Sequence, residues 1–85
     1  MQSLKKRTDL LIEEIEDEVV IYDPRTHRVH HLNPMARIIW DLYDACPNPQ
    51  DITKEIVDLL KADPVKVERD VSETLDQFRG KGLME

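Results

Sequence analysis

The sequence predicts an α+β fold, a three-stranded antiparallel sheet followed by three helices. Two observations carry the prediction. Residues 9–32 hold short β-branched and apolar runs separated by turn residues, whereas residues 34–81 repeat their apolar positions every three to four residues. The switch falls at Asn33-Pro34. Asn33 can cap a helix with its side-chain oxygen, and Pro34 suits the first helical position, where its missing N–H has no partner to lose.

Within the strand half, Leu10–Glu14 is the first candidate, although Leu, Ile and Glu also suit a helix. The charges Glu16-Asp17-Glu18 break the pattern, and Val19-Val20-Ile21-Tyr22 is a β-branched and aromatic second strand. Asp23-Pro24-Arg25-Thr26 supplies turn chemistry, so Arg28-Val29-His30-His31-Leu32 returns antiparallel as the third strand. In the helical half, Met35, Ile38, Ile39, Leu42, Tyr43 and Cys46 make the stripe of a first helix, widened by Ala36 and Trp40. A second helix spans about Asp51–Lys61, with Ile52, Ile56, Leu59 and Leu60 on one face; Asn48-Pro49 or Asp51 could cap it. Asp63-Pro64 opens a third helix to about Lys81, with Val67, Val71, Thr74, Leu75 and Phe78 buried. Gly82 stands where a left-handed cap belongs, and Leu83-Met84 folds back. Residues 1–8 carry no pattern and are expected to be a flexible N-terminus before a single domain over 9–85.

Composition narrows the function. Eighty-five residues with four aromatics (Tyr22, Trp40, Tyr43 and Phe78) make one small core, too small to enclose a deep substrate cavity. No enzyme and no cofactor are therefore expected. The net charge of −6 opposes phosphate backbones, so nucleic acid is not an expected partner. Cys46 is alone and can form no internal disulfide, which points to a reducing compartment. No apolar run approaches membrane-spanning length, and Leu10-Leu11-Ile12 is too short for a signal-peptide core. The expectation is a cytoplasmic protein, monomeric or weakly dimeric, with no membrane partner.

The order of these residues resembles the PqqD family. Val19-Val20-Ile21-Tyr22-Asp23, then Val29-His30-His31-Leu32-Asn33-Pro34-x-Ala36-x-x-x-Trp40-x-Leu42-x-Asp44, carries the likeness. Glu55-Ile56 with Leu59-Leu60 continues it, as does Val67-x-x-Asp70-Val71-x-x-x-Leu75-x-x-Phe78-x-x-x-Gly82-Leu83. The likeness implies a small winged helix-turn-helix fold and a role in the biosynthesis of pyrroloquinoline quinone or other ribosomally made, modified peptides. It implies that the leader segment of a precursor peptide adds as a strand to the third strand and packs on the third helix. It also implies a modifying enzyme, often of the radical S-adenosylmethionine type, as second partner. The chain departs from the family after the first helix, where Asp44-Ala45-Cys46-Pro47-Asn48-Pro49 replaces the usual Asp-Gly and predicts a longer, stiffer turn.

The third strand, Arg28–Leu32, is the main candidate site. As the last strand of a meander it leaves an edge that attracts another strand, unless the N-terminus or the third helix covers it. On the third helix, Asp70, Thr74 and Gln77 lie on one flank of the buried stripe with Lys66 just beyond. Thr74 suits a groove floor better than a sealed core; the plainer reading makes all four the wet margin of an amphipathic helix. The expected peptide site is therefore Arg28, Val29, His30, His31, Leu32, Lys66, Asp70, Thr74 and Gln77.

Other features carry less. Consecutive His30 and His31 point to opposite faces of a strand and cannot share a metal, and His27 with His31 alone makes a poor site. Cys46 has no base at a suggestive spacing and reads as packing, as does Trp40. Glu13, Glu14, Glu16, Asp17 and Glu18 read as a solvated acidic face that could meet a basic patch on a partner enzyme. The competing function is a winged-helix DNA-binding regulator, against which residues 64–79 hold Lys66, Arg69 and Arg79 but also Glu68, Asp70, Glu73 and Asp76.

Overall fold

Three Asx-Pro pairs open the three helices. In each, the Asn or Asp side chain accepts a hydrogen bond from a free backbone N–H of the first turn, and proline occupies a first position that needs no donor. In this computed structural model, which describes residues 5–84, Asn33 Oδ1 accepts from the Ala36 amide at 2.7 Å and starts helix α1 (Pro34–Ala45). Asn48 Oδ1 accepts from the Gln50 amide at 2.9 Å and starts α2 (Pro49–Leu60). Asp63 Oδ1 accepts from the Val65 amide at 3.0 Å and starts α3 (Pro64–Gly80). Each such cap stabilises its helix by about 1 kcal/mol. The stops are equally local. Lys61 reverses the chain after α2 with φ of 53°, and Gly82, at φ of 74°, takes the left-handed position expected of it.

The strands β1 (Leu11–Ile15), β2 (Glu18–Asp23) and β3 (Arg28–Leu32) form an antiparallel meander in the order β1-β2-β3. Glu16-Asp17 is the tight turn between the first two, so Glu18 joins β2, and β1 lies one residue beyond the expected Leu10–Glu14. The registers Ile12↔Ile21 and Ile21↔His30 put Val19, Ile21 and Asp23 of β2 on one face with Arg28, His30 and Leu32. That inner face meets α1. Val19, Ile21 and Leu32 join Ile39, Trp40, Ile52, Ile56, Val71, Phe78 and Leu83 in one buried cluster. Trp40 meets Phe78 edge-to-face at 5.2 Å between ring centroids, tying α1 to α3. The sheet-then-helices order predicted from the hydrophobic period is thus the observed one, and it is compatible with a winged helix-turn-helix.

Two expectations are corrected. Leu59 and Leu60 do not join the buried face of α2; they are 65% and 46% exposed, while Ile52 and Ile56 are fully buried. The chain reverses at Lys61 straight into α3, so the last turn of α2 lacks an element to pack on. Nor is the segment before Asp9 wholly loose. Residues 1–4 lie outside the described residues, but Lys6 bridges Met84 and Arg7 is buried. Lys6 Nζ also pairs with Asp44 at 2.9 Å and sits 4.3 Å from the centre of the Trp40 ring.

Candidate functional site

An antiparallel strand uses one edge per neighbour. β3 pairs with β2 alone, so its other edge has no strand partner among the described residues. Lys6 and Arg7 do not cover it, because Lys6 bridges Met84 instead and the Arg7 amide donates to Leu83 O at 3.2 Å. Helix α3 brings no main chain to it either: no described Cα of α3 comes within 8 Å of a β3 Cα. A further strand needs about 4.8 Å beside β3 in the hydrogen-bonding direction.

Register decides what each β3 side chain offers. Val29 and His31 lie on the outer face, opposite Tyr22 and Val20, and both are exposed. Arg28, His30 and Leu32 lie on the inner face opposite Asp23, Ile21 and Val19. Arg28 is exposed and His30 half-buried; the Leu32 side chain belongs to the core, so only its main chain can reach a partner. His30 and His31 do point to opposite faces. His27 belongs to the turn, with φ of 59° and its Nδ1 2.9 Å from the Tyr22 hydroxyl.

On α3, Lys66 and Gln77 are exposed while Asp70 and Thr74 are half-buried, which separates the last two from a plain solvated margin. Lys81, the residue capping α3, continues this row by the same four-residue step from Gln77. In the sequence it stands only as the end of the third helix; the spacing 66-70-74-77-81 was the available signal.

The Arg28 end of β3 is fixed to the end of α3 by one buried side chain. Arg7 donates to both oxygens of Asp23, at 2.7 and 2.9 Å, and to Gly82 O at 3.1 Å. It also holds Asp9 at 2.7 Å. Asp23 accepts from the Arg25 amide at 2.9 Å, shaping the β2–β3 turn. Hydrogen bonding from Arg7 holds the Asp23 and Asp9 carboxyls well below the usual range and raises the guanidinium in turn.

His30 shows the opposite effect. Burial, then the charge of Lys81, push its imidazole below the ordinary value; Asp23 opposes them and Arg28 adds a smaller push, and its Nε2 is buried without a hydrogen-bond partner among the described residues. The fold therefore favours neutral His30. Its contribution to stability is complete above about pH 6.5 and is lost as the pH falls below that value, through the lowered folded one. Thermal melts at closely spaced pH values between neutrality and mild acid are expected to show this loss, and His30→Leu to flatten it. An unchanged slope in His30→Leu would assign the loss to other groups.

A cavity of about 600 Å³ lies elsewhere, between α2 and α3, lined by Pro49, Thr53, Val57, Pro64 and Ser72 among others. It holds none of the residues expected at the peptide site, and pairing along a strand edge requires no cavity. Cys46 is half-buried, with its thiol donating to Leu42 O at 3.4 Å. Burial, then Glu55 and Asp51, raise that thiol, the reverse of what a nucleophile needs.

Comparison with known proteins places this geometry. The sequence model of the family described as coenzyme PQQ synthesis protein D (PqqD) matches residues 18–84. No curated protein matches the chain. Among solved structures, TbiB1 in complex with the TbiA(beta) leader peptide superposes with a TM-score of 0.85 at 28% identity, over 95% of this chain and 94% of that one. Lasso peptide synthetase B1 complexed with the leader peptide superposes with a TM-score of 0.84, over 99% of both chains; at 19% identity it is a likeness of fold.

Proposed function

The chain belongs to the PqqD family, and from that premise we propose that it is a peptide-binding adaptor. It takes the leader segment of a ribosomally made precursor as a fourth strand on the open edge of β3 and presents it to a modifying enzyme. The observation that carries this reading is that edge, which has no strand partner among the described residues. Main-chain hydrogen bonds give the affinity, and alternate side chains choose the partner. The TbiB1 structure, a likeness over nearly the whole chain, holds a leader peptide, which supports the same ligand class here.

Arg28, Val29, His30 and His31, with the main chain of Leu32, form one wall of the proposed site. Lys66, Asp70, Thr74 and Gln77 form the other. The enzyme it serves is of the radical S-adenosylmethionine type in this proposal, as the family resemblance implies, and the chain itself catalyses nothing. A thiol raised by burial at Cys46 supports a binding role over nucleophilic chemistry there. Duplex DNA is a poorer fit, since α3 carries four acidic side chains against three basic ones. The domain is a monomer or weak homodimer, and a second copy would compete for the same edge.

Titrating isotope-labelled protein with the precursor's leader while following backbone amide shifts tests the proposal. Shifts confined to β3 and α3 are expected. Shifts centred on the α2–α3 cavity would contradict the site, and tight, salt-sensitive binding of duplex DNA without peptide binding would contradict the function.

A further inference from the structure

The Arg28 end of β3 and the Lys81 end of α3 each present a cation. The chain carries a net −6, and many of its basic groups are already matched by carboxylates. Lys6 pairs with Asp44, Arg7 with Asp9 and Asp23, Arg25 with Asp9, Arg37 with Glu14, and Arg79 with Asp76. Arg28, Lys66 and Lys81, like Lys5, Lys54, Lys61 and Arg69, are exposed and take part in no ion pair among the described residues. Arg28 and Lys81 are brought to one end of the molecule by Arg7, which holds both Asp23, opposite Arg28, and Gly82 O, next to Lys81.

Two local facts keep the Arg28–Lys81 end cationic. The carboxylate facing Arg28 across the ladder is Asp23, and both of its oxygens are held by Arg7. The one carboxylate in the α3 row is Asp70, about 16 Å along the helix from Lys81 at 1.5 Å per residue. Lys66, one turn from Asp70, is the nearer cation to it. The carboxyl end of α3 would ordinarily oppose an anion, but its final carbonyls are engaged. Gln77 O accepts from the Lys81 amide at 2.9 Å, Arg79 O from Gly82 at 3.0 Å and Phe78 O from Leu83 at 3.0 Å. On the same face as Arg28, two residues on, His30 keeps a ring nitrogen without a hydrogen-bond partner.

We propose that the peptide docked on β3 is acidic and that one of its inward-facing carboxylates lies between Arg28 and Lys81. This rests on the strand-addition reading above and adds to it the chemistry of the ligand. Cations set at one end of an edge also fix which way the peptide runs, since backbone pairing alone accepts either direction. The polar row on α3 then acts as a selector and not only as a wall.

Three matched series of short fluorescein-labelled peptides separate the two readings. Each has an alternating valine–threonine strand with Glu, Gln or Lys at the central inward positions, and each is titrated into the whole protein at low and high salt. The Glu series is expected to bind roughly tenfold more tightly than the Gln series at low salt, with most of the difference screened at high salt. Arg28→Gln and Lys81→Gln are expected to weaken the Glu series several-fold more than the Gln series. Equal affinity of the Glu and Gln series, with amide shifts still on β3, would overturn the acidic ligand and leave strand addition standing. Preference for the Lys series would also overturn it. Failure of all three series would count against both.

Discussion

Arg7→Ala is expected to lower the thermal midpoint by more than about 10 °C, the largest loss predicted for any single surface-segment side chain here. The reason is not the count of hydrogen bonds but what the substitution leaves behind. Asp23 is 1% exposed, and the Arg7 side chain that neutralises it is 3% exposed. Removing the guanidinium leaves a buried carboxylate held by the Arg25 amide and the Thr26 side chain without the charge that neutralised it. Arg7→Lys is expected to recover only part of the loss, because an ammonium cannot reach both Asp23 oxygens in the planar fork that Arg7 uses.

The pH dependence of this pair follows from the direction of its shifts. Asp23 is held below its unfolded value, so its contribution is present above about pH 3.9 and is lost as the pH falls through the lowered folded one. Arg7→Ala should therefore lose its stability difference from the parent only in strong acid. Circular dichroism melts over a pH series check both statements. A midpoint within a degree or two of the parent at neutral pH would show that the ion pair is replaceable by water. The same variant should also weaken peptide binding, since Arg7 joins Asp23 at the start of the β2–β3 turn to Gly82 beyond α3.

Most of the architecture is legible in short-range chemistry. Asn33-Pro34 and Asp63-Pro64 announce two helix starts, and Gly82 announces a left-handed stop, because caps are decided by a residue and its next three neighbours. β3 is readable to the residue because turn chemistry ends just before it and a cap begins just after it. What escaped depends on partners distant in sequence. Nothing around Arg7 reveals that it will meet Asp23 and Gly82, as such a pair is visible only once the sheet and α3 are in place. Leu59 and Leu60 fit a helical stripe perfectly well, yet burial needs an opposing surface, and the turn at Lys61 removes it. The site divides along the same line. An open strand edge follows from strand order, whereas the role of Lys81 needed the end of α3 to be located against His30.

The central claim is that β3 is a template for an incoming strand, and proline on that strand is expected to abolish binding. In an antiparallel ladder, residues alternate between those that bond the partner strand and those whose main-chain groups point away. The two-residue Glu16-Asp17 turn makes Ile15–Glu18 a bonded pair, so by alternation Val20 bonds toward β1, and its β3 partner His31, with Val29 two residues away, falls in the outward set. Their side chains lie on the exposed outer face, Val29 being 52% exposed, so proline there removes little packing. Edge strands tolerate proline where its missing N–H faces solvent. Val29→Pro and His31→Pro should therefore keep the helices and the cooperative melt while leader affinity falls by two orders of magnitude or more, roughly the loss of two main-chain hydrogen bonds and the approach they permit.

The decisive measurement is a calorimetric titration of the leader peptide into folded His31→Pro, its fold verified beforehand by far-ultraviolet circular dichroism. Strand addition predicts no detectable heat of binding at concentrations that saturate the parent protein. Parent-like affinity in the folded variant would contradict it and would move the peptide site off β3.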